Sequence, residues 1–294
     1  MCRLFMFVHR ADASSSASDS VLHAMEDALT AFFHQSVQRQ KYTPNVNNPR
    51  DFLFHTDGWG IYWSELPAVN KNKGNHHRSK LTAWTDPQRD PLMAVLKRFE
   101  KSRVKKDWVV MGHLRKAVGV GIRAPAHIYN SHPFVHNNLA FAHNGTIYGL
   151  TRRNYDRILH TMISPILRPY VKGGTDSELL AFWLFSIVED MGNTYLPECI
   201  RKFIKQVQQL GLETSLNFVF TCARTKFAAA GRYLFLNKDA KSSKHSTSND
   251  PPSLYIIEHG ADVIVSSEPV MEDNMDVRMI PKNSLVIINF NWKK

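Results

Sequence analysis

The sequence lacks most features that would mark a secreted, membrane-bound or metal-centred protein. Its 294 residues hold three cysteines, Cys2, Cys199 and Cys222. That is too few for a disulfide framework, and no CxxC spacing is present; the count suits a reducing compartment. No apolar run approaches the roughly 20 residues of a membrane-spanning helix. The N-terminal LFMFV is too short for a signal-peptide core and gives way to the polar ADASSSASDS. A cytoplasmic protein with no membrane partner is expected. Fourteen histidines invite a metal reading, yet neither HExxH nor HxH with a distant acid occurs among them. His113, His127, His132, His136 and His143 cluster without ligand spacing, and the His76-His77 pair sits in a polar stretch. No metal and no cofactor are expected. Zinc-finger spacing, an RNP-type aromatic motif and an unbroken basic tail are missing too. The net charge of +11 therefore reads as a solvated basic surface, and no nucleic-acid partner is expected.

What is present is the material of a globular chain: 43% hydrophobic residues, enough length for a large core, no internal repeat and no clean linker. One domain over residues 1–294 is expected. Polar surface loops are expected near 64–80 and 237–253, the second being the low-complexity NKDAKSSKHSTSNDPPS. Residues 4–8 are of β-favouring types, and a strand is expected to end in LFHTDGWGIYW. Apolar spacing predicts helices over 20–37, 90–102, 151–165, 176–190 and 196–210. DWVVMGHLR and LAFAH read as strands, 116–138 as loop, and the last third as strand-rich: SLNFVFTCAR, FAAAGRYLFL, SLYIIEH, DVIVSS and SLVIINF. Strands at both ends around a helical middle indicate an α+β class with largely antiparallel sheets.

Four places could carry chemistry. Cys2 follows the initiator methionine, so removal of Met1 would put a thiol and a free α-amine on one residue, a nucleophile with its own base. His143-Asn144-Gly145 has two readings. Asn-Gly between apolar runs is a hairpin turn signal, and an Asn amide beside a Gly N–H can also form an oxyanion hole. Arg115 ends an apolar strand, where a guanidinium needs a partner: an internal carboxylate or a substrate carboxylate. In GGTDSELL, Thr175 and Glu178 form a capping box, and Asp176 either completes the helix start or faces a cleft and binds an ammonium group. Cys199 and Cys222 read as buried thiols.

The order of these pieces is more specific than any one of them. MCRLF, HLRKA, NSHPF at 130–134, FAHNGTI at 141–147 and TDSELL at 175–180 resemble, in this order, the class-II glutamine amidotransferases, a branch of the N-terminal-nucleophile hydrolases. The DGWG of HTDGWGIYW and the SSEPV at 266–270 are similar to the smaller stand-alone branch, which includes glutathione-degrading and ergothioneine-pathway γ-glutamyl hydrolases. The resemblance implies a four-layer αββα fold, two stacked, mostly antiparallel sheets between helix layers. It implies Cys2 as nucleophile, Asn144 and Gly145 as oxyanion donors, Arg115 and Asp176 as binders of the α-carboxylate and α-ammonium of a glutamyl group, and His132 as a pocket-shaping residue. After Arg115 the chain has Lys116-Ala117-Val118-Gly119 where fused members often carry Trp-Ala-Thr-His, which leaves the acceptor side open.

The expected activity is hydrolysis of a γ-glutamyl amide, in glutamine or a glutathione-like compound, through a thioester on Cys2. The expected partner is that small-molecule substrate. No synthase domain is present to use ammonia, so a separate partner subunit is the other route. The competing reading is a catalytically silent basic scaffold on the same fold.

Overall fold

Strand β1, Arg3–His9, is buried along its whole length, and its alternation sets out the layers around it. Leu4, Met6 and Val8 pack with Ala140, Ala142, Val219, Ala228 and Ala230 in one cluster. Phe5 and Phe7 point the other way and pack with Met25, Leu29, Phe32 and Phe99. A strand buried on both faces must be covered by a second sheet on one side and helices on the other.

The computed structural model describes residues 2–11, 19–36, 55–68, 75–83, 86–87, 90–102, 105–116, 125–236, 253–270 and 276–290. After β1 come α1 (Asp19–His34), β2 (Trp59–Leu66), β3 (Asn75–Ser79), α2 (Asp90–Ser102), β4 (Asp107–Leu114), β5 (Phe134–His136), β6 (Leu139–Ile147), α3 (Arg152–Thr161), α4 (Asp176–Met191) and α5 (Leu196–Gln209). The chain closes with β7 (Thr214–Cys222), β8 (Phe227–Phe235), β9 (Tyr255–His259), β10 (Asp262–Ser266), β11 (Val277–Met279) and β12 (Ser284–Asn289). Seven strands form one sheet in the order β11-β9-β10-β1-β4-β2-β3, and five form the other in the order β12-β8-β7-β6-β5. Every pairing is antiparallel.

The two sheets meet through small residues on β6 and β8 against Leu4, Met6, Val109 and Met111. Helices α1 and α2 cover the outer face of the larger sheet. Helices α3, α4 and α5 cover the smaller one, where Phe141, Trp183, Phe185, Phe203 and Phe218 are buried. Each such aromatic contributes about 1.5–3 kcal/mol by leaving water. The result is the expected four-layer αββα arrangement.

Several local expectations change. The strand expected to end at Trp63 instead starts at Trp59; residues 51–54 lie outside the described set. The loop expected near 64–80 includes the end of β2 and an edge strand, Asn75–Ser79, with His76 and His77 on it. Pairing with β2 outweighs a polar composition that has no β preference of its own. The loop expected over 116–138 includes β5, whose three residues pair with the start of β6. The short β11 gives no sequence signal at all. Of the polar loop at 237–253, all but Ser253 lies outside the described residues. Cys199 and Cys222 are fully buried, as expected.

Candidate active site

β6 decides the site. Asn144-Gly145 is not a turn: Leu139–Ile147 is one continuous strand, with Asn144 opposite Asn217 and Gly145 opposite Leu216 on β7. A Cβ at Gly145 would lie 2.0 Å from the Ser215 carbonyl oxygen and 2.7 Å from His143 Nε2, so glycine is there for a close approach of chains rather than for a bend.

Alternation along β6 then aims its groups. The Tyr148 N–H donates to the Glu213 carbonyl on the β7 side. Odd-numbered residues therefore direct their backbone groups to the opposite edge, where β5 has already ended. There the His143 carbonyl meets His113 Nε2 at 3.2 Å, and the Ile147 N–H donates to Asp176 Oδ2 at 2.9 Å. The Gly145 N–H lies between these two anchors on the same edge.

Asn144 faces the interior between the sheets and is 2% exposed. Its Nδ2 donates to the Cys2 carbonyl at 2.9 Å and reaches Ser267 Oγ at 3.5 Å. Cys2 sits just before β1, half-buried, with its Sγ 3.4 Å from both the carbonyl oxygen and the amide nitrogen of Lys116. Burial pushes the Cys2 thiol above its ordinary pKa; the Lys116 N–H and the Arg115 charge pull it down, and Asp176 pushes it up. Cys2, Arg115, Asn144 and Asp176, distant in sequence, thus meet at one end of the sandwich.

Arg115 directly follows β4 and is 5% exposed. Its Nη1 donates to the carbonyls of Asp57 and Pro125. Burial lowers its pKa, while Cys2, Asp57 and Asp176 favour its charge. Asp176 opens α4 beside the N-cap Thr175, whose hydroxyl accepts from the Glu178 N–H at 3.1 Å. The capping box is only half closed: the Glu178 carboxylate reaches beyond the cap and accepts from the N–H groups of Lys172 and Gly173. Burial raises its pKa to about 7.

Behind the edge of β6 lies a histidine cluster. His132 lies against His113 with ring centroids 3.9 Å apart and the planes tilted by 32°. Burial holds both well below the ordinary imidazole pKa, with neighbouring positive charge acting in the same direction, so both rings are neutral. His143 Nε2 donates to the Ser215 carbonyl, which leaves Nδ1 to accept from Ser177 Oγ at 2.9 Å. His132 therefore shares the site through His113 and the His143 carbonyl, one layer back from Cys2. Among the described residues, no group of three His, Cys, Asp or Glu side chains is arranged to hold a metal ion. No helix among them is long and apolar enough to cross a membrane.

A family model described as glutamine amidotransferases class-II matches residues 47–287. The chain belongs to the class-II glutamine amidotransferases. The match takes in Arg115, His132, Asn144, Gly145 and Asp176 and begins downstream of β1. Among solved structures, a glutamine aminotransferase class-II domain protein from Silicibacter pomeroyi is similar to this amidotransferase, with a TM-score of 0.55 and 16% identity over 98% of this chain and 94% of that one. That likeness shows the shared fold. A structure described as a predicted glutamine amidotransferase from Pseudomonas aeruginosa gives a TM-score of 0.43 and 14% identity over 98% and 93% of the two chains. No curated protein matches the sequence.

Three further residues connect to Cys2 and Asn144: Arg3, Ser267 and Glu268. Sequence reading assigned them no role, although Ser267 and Glu268 lie in the SSEPV segment that carries the resemblance, and Arg3 is a charged residue inside the apolar CRLFMFV.

Proposed function

We propose that this amidotransferase hydrolyses γ-glutamyl amides, glutamine or a glutathione-like compound, with Cys2 as nucleophile after removal of Met1. The observation that carries the reading is the Asn144 side chain on the Cys2 carbonyl, which holds the residue bearing the thiol against β6, with the charges of Arg115 and Asp176 near enough to act on that thiol.

A buried thiol with a raised pKa holds little thiolate at neutral pH and needs a base. The Cys2 α-amine, with an ordinary pKa near about 7.7–8.0, suits that task. It takes the thiol proton, directly or through a water, as sulfur bonds to the γ-carbonyl carbon. The oxyanion is met by the Gly145 N–H and the Asn144 amide. Collapse breaks the C–N bond, and the α-ammonium returns its proton to the departing amine. Water then attacks the thioester, the C–S bond breaks, and glutamate and the free thiol remain. Arg115 binds the α-carboxylate and Asp176 the α-ammonium of the glutamyl group. That pair favours an α-amino acid end over other acyl amides.

The test is intact mass together with glutamate release from a panel of γ-glutamyl compounds. The expected result is a mature chain beginning at Cys2, glutamate release by the native protein and none by Cys2→Ala. A retained Met1 in active protein, or equal release by Cys2→Ala, overturns the mechanism.

A further inference from the structure

After Met1 is removed, the nucleophile is the first residue of the chain, and terminal residues fray unless something ties them down. The ladder between β1 and β10 ends at the pair Phe5 and Ser266, three residues short of Cys2. Contacts from the residues after β10 continue towards it. The Ser267 N–H donates to the Leu4 carbonyl at 3.0 Å, and the Leu4 N–H donates to Ser267 Oγ at 2.9 Å. The same hydroxyl oxygen lies 3.5 Å from Asn144 Nδ2. Glu268 forms an ion pair with Arg3, and Arg3 Nη1 donates to the Cys2 carbonyl at 3.3 Å. The turn itself is closed by Ser266 Oγ, which donates to the Glu268 carbonyl at 2.6 Å.

The Cys2 carbonyl thus accepts from two donors, the Asn144 amide and the Arg3 guanidinium, and both are linked to the same turn. Arg3 is 3% exposed and Ser267 5%, so neither contact is the kind of solvent-facing pair that contributes little. A guanidinium there requires a carboxylate for its own burial, and Glu268 supplies it.

We infer that Ser267 and Glu268, acting through Leu4, Asn144 and Arg3, form a clamp that positions the N-terminal nucleophile. They are positioning residues: they touch the peptide that carries the thiol, not the substrate. The inference deepens the γ-glutamyl hydrolase reading and rests on it for its catalytic consequence. The clamp fixes sulfur relative to the Gly145 N–H, and a misplacement near 1 Å costs on the order of a hundredfold in rate.

The test uses the mature protein and the variants Ser267→Ala, Glu268→Gln and Glu268→Asp. Three quantities are read: kcat and KM for glutamate release, the rate of Cys2 alkylation by iodoacetamide, and amide exchange over residues 2–8. The expected result for Ser267→Ala and Glu268→Gln is a roughly 10–100-fold fall in kcat with KM within about threefold. Faster exchange at Leu4 in Ser267→Ala and a changed alkylation rate in both should accompany it. Glu268→Asp should recover part of the kcat lost in Glu268→Gln.

Folded variants with native kcat, native alkylation and native exchange overturn the clamp. So does a change confined to KM. Failure of the hydrolase reading looks different: the native protein itself releases no glutamate. Exchange and alkylation then still decide the clamp, since neither requires turnover. If Glu268→Gln does not fold, Ser267→Ala, which keeps the ion pair, gives the same readouts.

Discussion

Asn144 donates its side-chain amide to the carbonyl oxygen of Cys2 at 2.9 Å, across 142 positions of sequence. This bond ties the end of β1 in one sheet to β6 in the other. It places a buried amide donor against the residue proposed as nucleophile.

Replacing Asn144 by Ala is expected to lower kcat for glutamate release about 100–1,000-fold, the usual consequence of losing one oxyanion donor. The folded state should lose only about 1 kcal/mol, because Arg3 still donates to the Cys2 carbonyl. Steady-state kinetics and a thermal melt check the two halves. An unchanged kcat in folded Asn144→Ala would contradict the role.

Gly145→Ala should be costly for a different reason. The new Cβ would meet the Ser215 carbonyl oxygen at 2.0 Å, a backbone atom in a paired strand that cannot swing away. A loss of about 3 kcal/mol or more is expected. Gly149→Ala is the control: φ is +70° and nothing lies within 4 Å of the added Cβ, so only the left-handed backbone is penalised, by about 1 kcal/mol. Chemical denaturation of both variants should rank them in that order.

The three thiols should separate cleanly under native conditions. Cys2 is half-buried while Cys199 and Cys222 are fully buried. Iodoacetamide followed by peptide mass mapping should label Cys2 alone. Arg115 lowers the pKa of that thiol, so Arg115→Ala should move the alkylation profile to higher pH and slow labelling at neutral pH. It should also raise KM for a γ-glutamyl substrate. Equal labelling of all three cysteines would remove the special position of Cys2.

Glu178 gives the chain a pH-dependent stability term. Burial raises its pKa from 4.5 to about 7, so the folded state prefers the protonated carboxyl. The associated stability is complete below the ordinary carboxylate pKa and is lost as pH rises through about 7, a change of at most about 3 kcal/mol. Denaturation midpoints measured from pH 4 to 8 should fall less steeply in Glu178→Gln than in the native chain. Parallel curves would show that Glu178 contributes nothing to the slope.

The elements with local signals were legible before any fold was known. Thr175 three residues before Glu178 marks the start of α4, and helical spacing in LPECIRKFIKQVQ marks α5. Alternating and apolar runs mark β1, β4, β7 and β8, because period and capping depend on near neighbours. The sequence also supplied the residue types of the site: Cys2, Arg115, His132, Asn144, Gly145 and Asp176.

How those residues are used depends on long-range pairing that no local pattern encodes. Asn-Gly reads locally as a turn, yet pairing with Asn217 and Leu216 holds it extended and turns the Gly145 N–H towards an open edge. NHHRS has no strand signal and becomes β3 because β2 offers it an edge. Arg3 and Glu268 are 265 positions apart, and nothing in the local sequence of either names the other. That contact arises because β1 and β10, from opposite ends of the chain, pair within one sheet and bury a charge that must then find its partner.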